Sequence, residues 1–145
     1  SPWRRNFVKT MIRLACDRDE IGVVADQRGC PTSAQDLAQA LAGLLPSVIA
    51  SPATAPQLYH LVNGGEASWF ELASYVMERL RSAGHRAAAV RPIPTSAYPT
   101  PVRRPANSCL STDAFTRRFG IEMRHWKVAV SDVIARCLTE SEERS

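Results

Sequence analysis

Residues 92–112 read PIPTSAYPTPVRRPANSCLST, and their five prolines constrain this chain more than any other stretch. Proline fixes φ and removes a backbone donor, so the segment can form neither a helix nor a central strand. Its order has to come from packing or from a bound partner. A backbone restricted in this way loses less entropy when it is held in one place. Arg103 and Arg104 sit within it, and a guanidinium presents a planar fork of donors suited to phosphate. The arm is therefore expected to act as an anion clamp.

A chain of 145 residues, 45% hydrophobic and 22% charged, is long enough to bury a core and too apolar to be disordered. No apolar run approaches the roughly 20 residues that span a bilayer, and no signal peptide opens the sequence. The expectation is a soluble cytoplasmic protein with no membrane partner. Cys16, Cys30, Cys109 and Cys137 are far apart, with no CxxC pair and no Cys/His cluster of the kind zinc requires, so they read as free thiols. The net charge of +4 could suggest nucleic acid, but 16 of the 18 basic residues are arginines scattered along the chain. A phosphate-backbone binder gathers them on one face. The densest group, Arg4, Arg5, Lys9, Arg13 and Arg18, suits a solvated helix face equally well, and no nucleic-acid partner is expected.

Hydrophobic spacing predicts a helix over 6–17, carrying Phe7, Met11, Leu14 and Ala15 on one face, and then a short buried strand over 21–25. A second helix follows from Thr32 or Ser33 as N-cap, with Leu37, Leu41 and Leu44 as its apolar face; a proline-containing loop from Pro46 comes next, and LYHLV at 58–62 reads as another strand. Ser68 and Glu71 have capping-box spacing ahead of a helical stripe that ends near Gly84. Residues 87–93 should be extended, a short helix should span 112–119, and a last helix 126–138 should bury Trp126, Val130, Val133, Ile134 and Cys137 before a frayed tail. Alternating strands and helices predict an α/β unit with few parallel strands. So small a parallel sheet, and the start at SPWRRN, read as part of something larger.

Groups that bind are present, and groups that react are missing. A dinucleotide fold needs a Gly-rich turn after its first strand, and no GxxGxxG run occurs. Ketone reduction needs a proton donor, commonly a tyrosine with a lysine four residues on, and Tyr59, Tyr75 and Tyr98 all lack one. There is no nucleophile elbow, HExxH, P-loop or carboxylate pair. Neither a catalytic residue nor a cofactor or metal ligand is expected within these residues.

Four segments, in order, carry a resemblance: NFVKTM at 6–11, ADQRGCPTSAQDLA at 25–38, YHLVNGGEASWFELA at 59–73 and the arm at 92–112, followed by FGIEMRHW. Over nearly its whole length the chain resembles the C-terminal portion of the dTDP-4-dehydrorhamnose reductases, a family of extended short-chain dehydrogenase/reductases. The resemblance implies an α/β fold that completes a Rossmann-like, NAD(P)-binding sheet. It implies a full-length enzyme that reduces the C4 ketone of dTDP-4-dehydro-L-rhamnose with NADPH, giving dTDP-L-rhamnose for cell-surface polysaccharide. The cofactor-binding portion and the catalytic tyrosine and lysine would lie upstream of Ser1. Residues 1–145 would then form one unit, the sugar-nucleotide side of the cleft, silent by itself and binding no NADPH alone. An alternative is a regulatory module, as in the regulatory subunit of methionine adenosyltransferase, which keeps this fold for interaction. A poorly folding remnant is a third reading, whose exposed sheet edge would favour a homodimer.

The resemblance also suggests site residues. Asn6 and Phe7 match an Asn-apolar pair that contacts the nucleotide in these families, although Asn6 would serve equally as a helix cap. Arg104 matches an arginine on the diphosphate, its rival role being an ion pair with a carboxylate such as Glu122; Arg103 adds positive potential. Asn107 stands where related epimerases place an aspartate against the nucleotide's sugar. Trp3 could line the cleft beside the missing half. Cys30 replaces the family's usual serine, Pro31 and Thr32 shape a turn, Asp26 and Gln27 organise it, and Trp69 and His60 read as packing residues.

Overall fold

The computed structural model describes residues 6–50 and 57–142. Helix α1, Phe7–Asp17, opens on Asn6, whose Oδ1 accepts from Lys9 N at 2.9 Å. Strand β1, Glu20–Val24, follows at once. It pairs in parallel with the much later β4, Ala89–Ile93, in a register that sets Gly22 against Arg91. Between them lie β2, Arg28–Gly29, helix α2, Ala34–Ala50, β3, Ala67–Ser68, and helix α3, Trp69–Ser82. β2 and β3 form a two-residue antiparallel pair. After the arm come α4, Asp113–Phe119, and α5, Trp126–Glu142.

Helix α3 is the centre of the core. The expected capping box is present, with Ser68 N donating to Glu71 Oε2 at 2.6 Å and Glu71 N donating to Ser68 Oγ at 3.1 Å. Its stripe of Leu72, Ala73, Val76, Met77 and Leu80 is buried against α1, α5 and the β1–β4 pair. Met11 and Ala15 meet it from α1, and Trp126, Val130 and Ile134 from α5. Full burial of each large apolar side chain contributes about 1.5–3 kcal/mol, so this stripe is the main source of cohesion.

Three expectations need correction. Residues 58–62 form no strand: Tyr59 turns its ring towards Phe115 and Phe119 at 6.4 and 5.1 Å, Leu58 is 86% exposed, and His60 lies exposed in a loop. The backbone pairs only beyond it, at Gly64 with His125. Helix α2 continues through Pro46 to Ala50, where a loop was expected from the proline on. Its buried face is Asp36, Ala40 and Leu44 rather than Leu37, Leu41 and Leu44, and Leu41 is 55% exposed. The cause is an ion pair: Arg124 clasps both oxygens of Asp36 at 2.8 Å and rotates that side of the helix inward.

Candidate sugar-nucleotide cleft

The loop that joins β1 to α2 builds one wall of the site. Asp26 accepts from Thr95 N at 2.9 Å and from Thr95 Oγ1 at 2.6 Å, and Gln27 Nε2 donates to the same hydroxyl at 3.0 Å. These bonds hold the Asp26 carboxyl below its ordinary pKa, the Thr95 hydroxyl contributing most. They also anchor the start of the arm, which makes one 3-10 turn at Thr95–Ala97. A second anchor lies downstream, where Arg28 N donates to Ala106 O at 2.8 Å and Ser108 N donates to Arg28 O at 3.0 Å. The proline-rich span between the anchors has no regular structure and is held at both ends.

Arg104 lines two adjoining clefts of about 330 and 390 Å³, whose shared boundary is made by Gln27, Trp69 and Arg104. The first cleft is floored by the loop residues Arg28 to Pro31, the second by α1 and β1. Neither Arg103 nor Arg104 has a carboxylate partner among the described residues, and the alternative pair with Glu122 does not form. Arg28 differs, because Glu66 at 2.9 Å and Glu71 at 3.3 Å both engage its guanidinium. Arg104 is thus the guanidinium at the boundary that no described carboxylate engages.

The other expected site residues divide. Phe7 lines the second cleft and packs on Trp69, ring centroids 4.8 Å apart. Asn6 is engaged in its cap. Asn107 bridges to Arg28 in the backbone, and its Oδ1 accepts from Cys109 N at 2.9 Å. Both amides shape backbone here, and neither lines either cleft. Arg103 lines neither cleft as well. Trp3 lies outside the described residues. Sequence reasoning underrated Gln27 and Trp69, which form the boundary itself; the only signal was their place beside a turn and a helix cap.

Behind the loop stands a buried polar lock. Asn63, 1% exposed, donates to Asp36 Oδ2 at 2.7 Å and to Arg124 O at 3.0 Å, and its Oδ1 accepts from Ser33 N at 2.7 Å. Thr32 Oγ1 donates to Cys30 O at 2.8 Å and accepts from Asn63 N at 3.3 Å, while Ser33 caps α2. The lock fixes the Cys30–Ser33 floor, and Arg124 bonding holds the Asp36 carboxyl below its ordinary pKa.

A family model described as the RmlD substrate binding domain matches residues 2–139. The chain belongs to that family. Its relatives include dTDP-4-dehydrorhamnose reductases of Burkholderia thailandensis, 42% identical over 87% of this chain and 45% of the relative, and of Sinorhizobium fredii, 40% identical over 99% and 49%. Among solved structures, the Clostridium acetobutylicum dTDP-4-dehydrorhamnose reductase superposes with a TM-score of 0.79 at 30% identity, covering 94% of this chain and 45% of that one. The Bacillus anthracis enzyme, in complex with NADP, gives 0.76 at 32%, covering 90% and 43%. This RmlD-type domain therefore has the mixed α/β fold of the corresponding part of those reductases, and it spans about half the length of the relatives it matches.

Two glycines ahead of helices in the RmlD-type domain are tightly approached by side chains. Of the glycines ahead of its helices, Gly29 is closed off by Ser108 Oγ, 2.9 Å from where a Cβ would stand. Gly65, at φ 81°, is closed off by His125 Nε2 at 2.5 Å. A pyrophosphate needs such a turn open to approach by the backbone. No described helix is long and apolar enough to cross a membrane.

Proposed function

We propose that this chain is the sugar-nucleotide side of a dTDP-4-dehydrorhamnose reductase, and that it works as one unit with a cofactor-binding portion in the cytoplasm. The whole enzyme would reduce the C4 ketone of dTDP-4-dehydro-L-rhamnose, with NADPH supplying the hydride, to give dTDP-L-rhamnose. The observation that carries this reading is Arg104, an unpaired guanidinium at the meeting of two clefts in a family substrate-binding domain.

The chain's own residues bind and position. Arg104 takes the diphosphate through paired N–H donors, which charge assistance makes stronger than neutral bonds. Arg103 adds positive potential that draws the anion in. Trp69 and Phe7 give apolar faces against which the nucleoside and sugar exclude water. Asp26 and Thr95 keep the arm, and so Arg104, at a fixed distance from the loop floor. Asn6 and Asn107 support the site through backbone geometry in this reading. No reacting group is supplied by these residues, so the chain alone is expected to be catalytically silent. The regulatory-module alternative would leave Arg104 without a task.

Calorimetric titration with dTDP, dTDP-rhamnose and thymidine tests the reading. The two diphosphates are expected to bind and thymidine, which lacks phosphate, is not. Equal heats from thymidine and dTDP would overturn a clamp built on the diphosphate.

A further inference from the structure

The parallel bridge between Arg28 and Asn107 sets the register of the loop against the arm. A Cβ on Gly29 would lie 2.9 Å from Ser108 Oγ, so the two segments remain in contact one residue further along. The next matched pair is Cys30 with Cys109. Cys30 Sγ reaches the carbonyl of Leu110 at 4.0 Å, which keeps the segments side by side at this point as well. Matched residues on neighbouring parallel strands project from the same face. Arg28 and Cys109 show it directly: Arg28 reaches Glu66 Oε1 at 2.9 Å, and Cys109 Sγ donates to Glu66 Oε2 at 3.4 Å. Burial, the bond to Glu66 and the neighbouring Cys30 together push the Cys109 thiol up to about 11. Both cysteines are free and half-buried. Adjacent strands run about 4.8 Å apart, inside the roughly 4.4–6.8 Å between Cα atoms that a disulfide spans.

We propose that Cys30 and Cys109 are a redox pair that closes to a reversible disulfide, fastening the arginine arm to the loop ahead of α2. The oxidant is a small disulfide such as oxidised glutathione. The Cys30 thiolate attacks one of its sulfurs, and the first glutathione leaves as a thiolate. Cys109 then loses its proton to solvent and attacks the Cys30 sulfur. The second glutathione leaves as a thiolate, and the two glutathione thiolates take up the protons that Cys30 and Cys109 released to solvent. Two protein thiols are oxidised to one disulfide, and one glutathione disulfide is reduced to two thiols. The proton held on Cys109 makes the second step slow at neutral pH and faster as pH rises. The closed bond lies five residues beyond Arg104, at the second anchor of the arm, and holds that anchor even when its hydrogen bonds open.

The chain is equilibrated with reduced and oxidised glutathione, quenched by alkylation, digested and mapped by mass spectrometry, both folded and in concentrated urea. A Cys30–Cys109 linked peptide is expected in the folded chain, at least tenfold more abundant than in urea, with Cys16 and Cys137 alkylated. Cys109→Ser should stop at a mixed disulfide on Cys30. Glu66→Gln should form that mixed disulfide at an unchanged rate and close it several-fold faster at neutral pH, because the carboxylate that holds the proton on Cys109 is gone. Persistence of the mixed disulfide on Cys30 in the folded wild-type chain would overturn the proposal, and so would a linked peptide equally abundant in urea. The readout is independent of any nucleotide, so its failure is distinguishable from failure of the clamp.

Discussion

Asp36 shows how one side chain can set the face of a helix. Placed at the start of α2, it is 5% exposed, and Arg124 and Asn63 hold it charged. Its folded pKa lies below the ordinary 3.8, so the stability it contributes is complete above about pH 4 and is lost as pH falls through the folded value. Asp36→Ala should cost about 2–4 kcal/mol in urea unfolding at pH 7, somewhat below the range for a fully buried pair because Arg124 is partly exposed. The same variant should flatten the loss of stability between pH 4 and pH 2. Nothing in the hydrophobic pattern of α2 revealed this, because Leu37 and Leu41 offered an equally regular stripe. An ion pair between positions 36 and 124 has no local signature.

At the scale of the element, legibility followed the range of the forces. The limits of α1 and α3 were readable because Asn6 and the Ser68–Glu71 box satisfy helix-end donors within four residues. Ser68→Ala should therefore cost about 1 kcal/mol, read as a shift in the denaturation midpoint. Met77→Ala, in the centre of the α3 stripe, should cost about 2–5 kcal/mol by the same assay. The run at 58–62 misled because an apolar stretch reads as a strand only if a neighbouring strand is available, and Tyr59 finds an aromatic cluster instead. The arm was recognised as irregular and ordered by packing, but its two anchors were not visible, since they join residues about 70–80 positions apart. Thr95→Val removes the hydroxyl bonds to Asp26 and Gln27. It should leave global stability within about 1 kcal/mol while raising amide exchange across residues 98–105.

At the scale of the molecule, two parallel strands and five helices among the described residues make a core around α3, and Arg104 is left without a described carboxylate partner where two clefts join. The family resemblance and α/β class were legible in motif order, and the arm's chemistry is what suggests the proposed clamp. The preference for Arg104 over Arg103 came from the resemblance, and the fold adds that Arg104 lines both clefts and Arg103 neither. The measurement that tests this most directly is calorimetric titration of dTDP into the wild-type chain, Arg104→Ala and Arg103→Ala, each first shown to be folded by circular dichroism. The account predicts a loss of at least about tenfold in affinity for Arg104→Ala, as befits a hydrogen-bonded charge worth about 1.5–3 kcal/mol, and a threefold loss or less for Arg103→Ala. Equal affinity of Arg104→Ala and wild type, or a larger loss from Arg103→Ala, would contradict it.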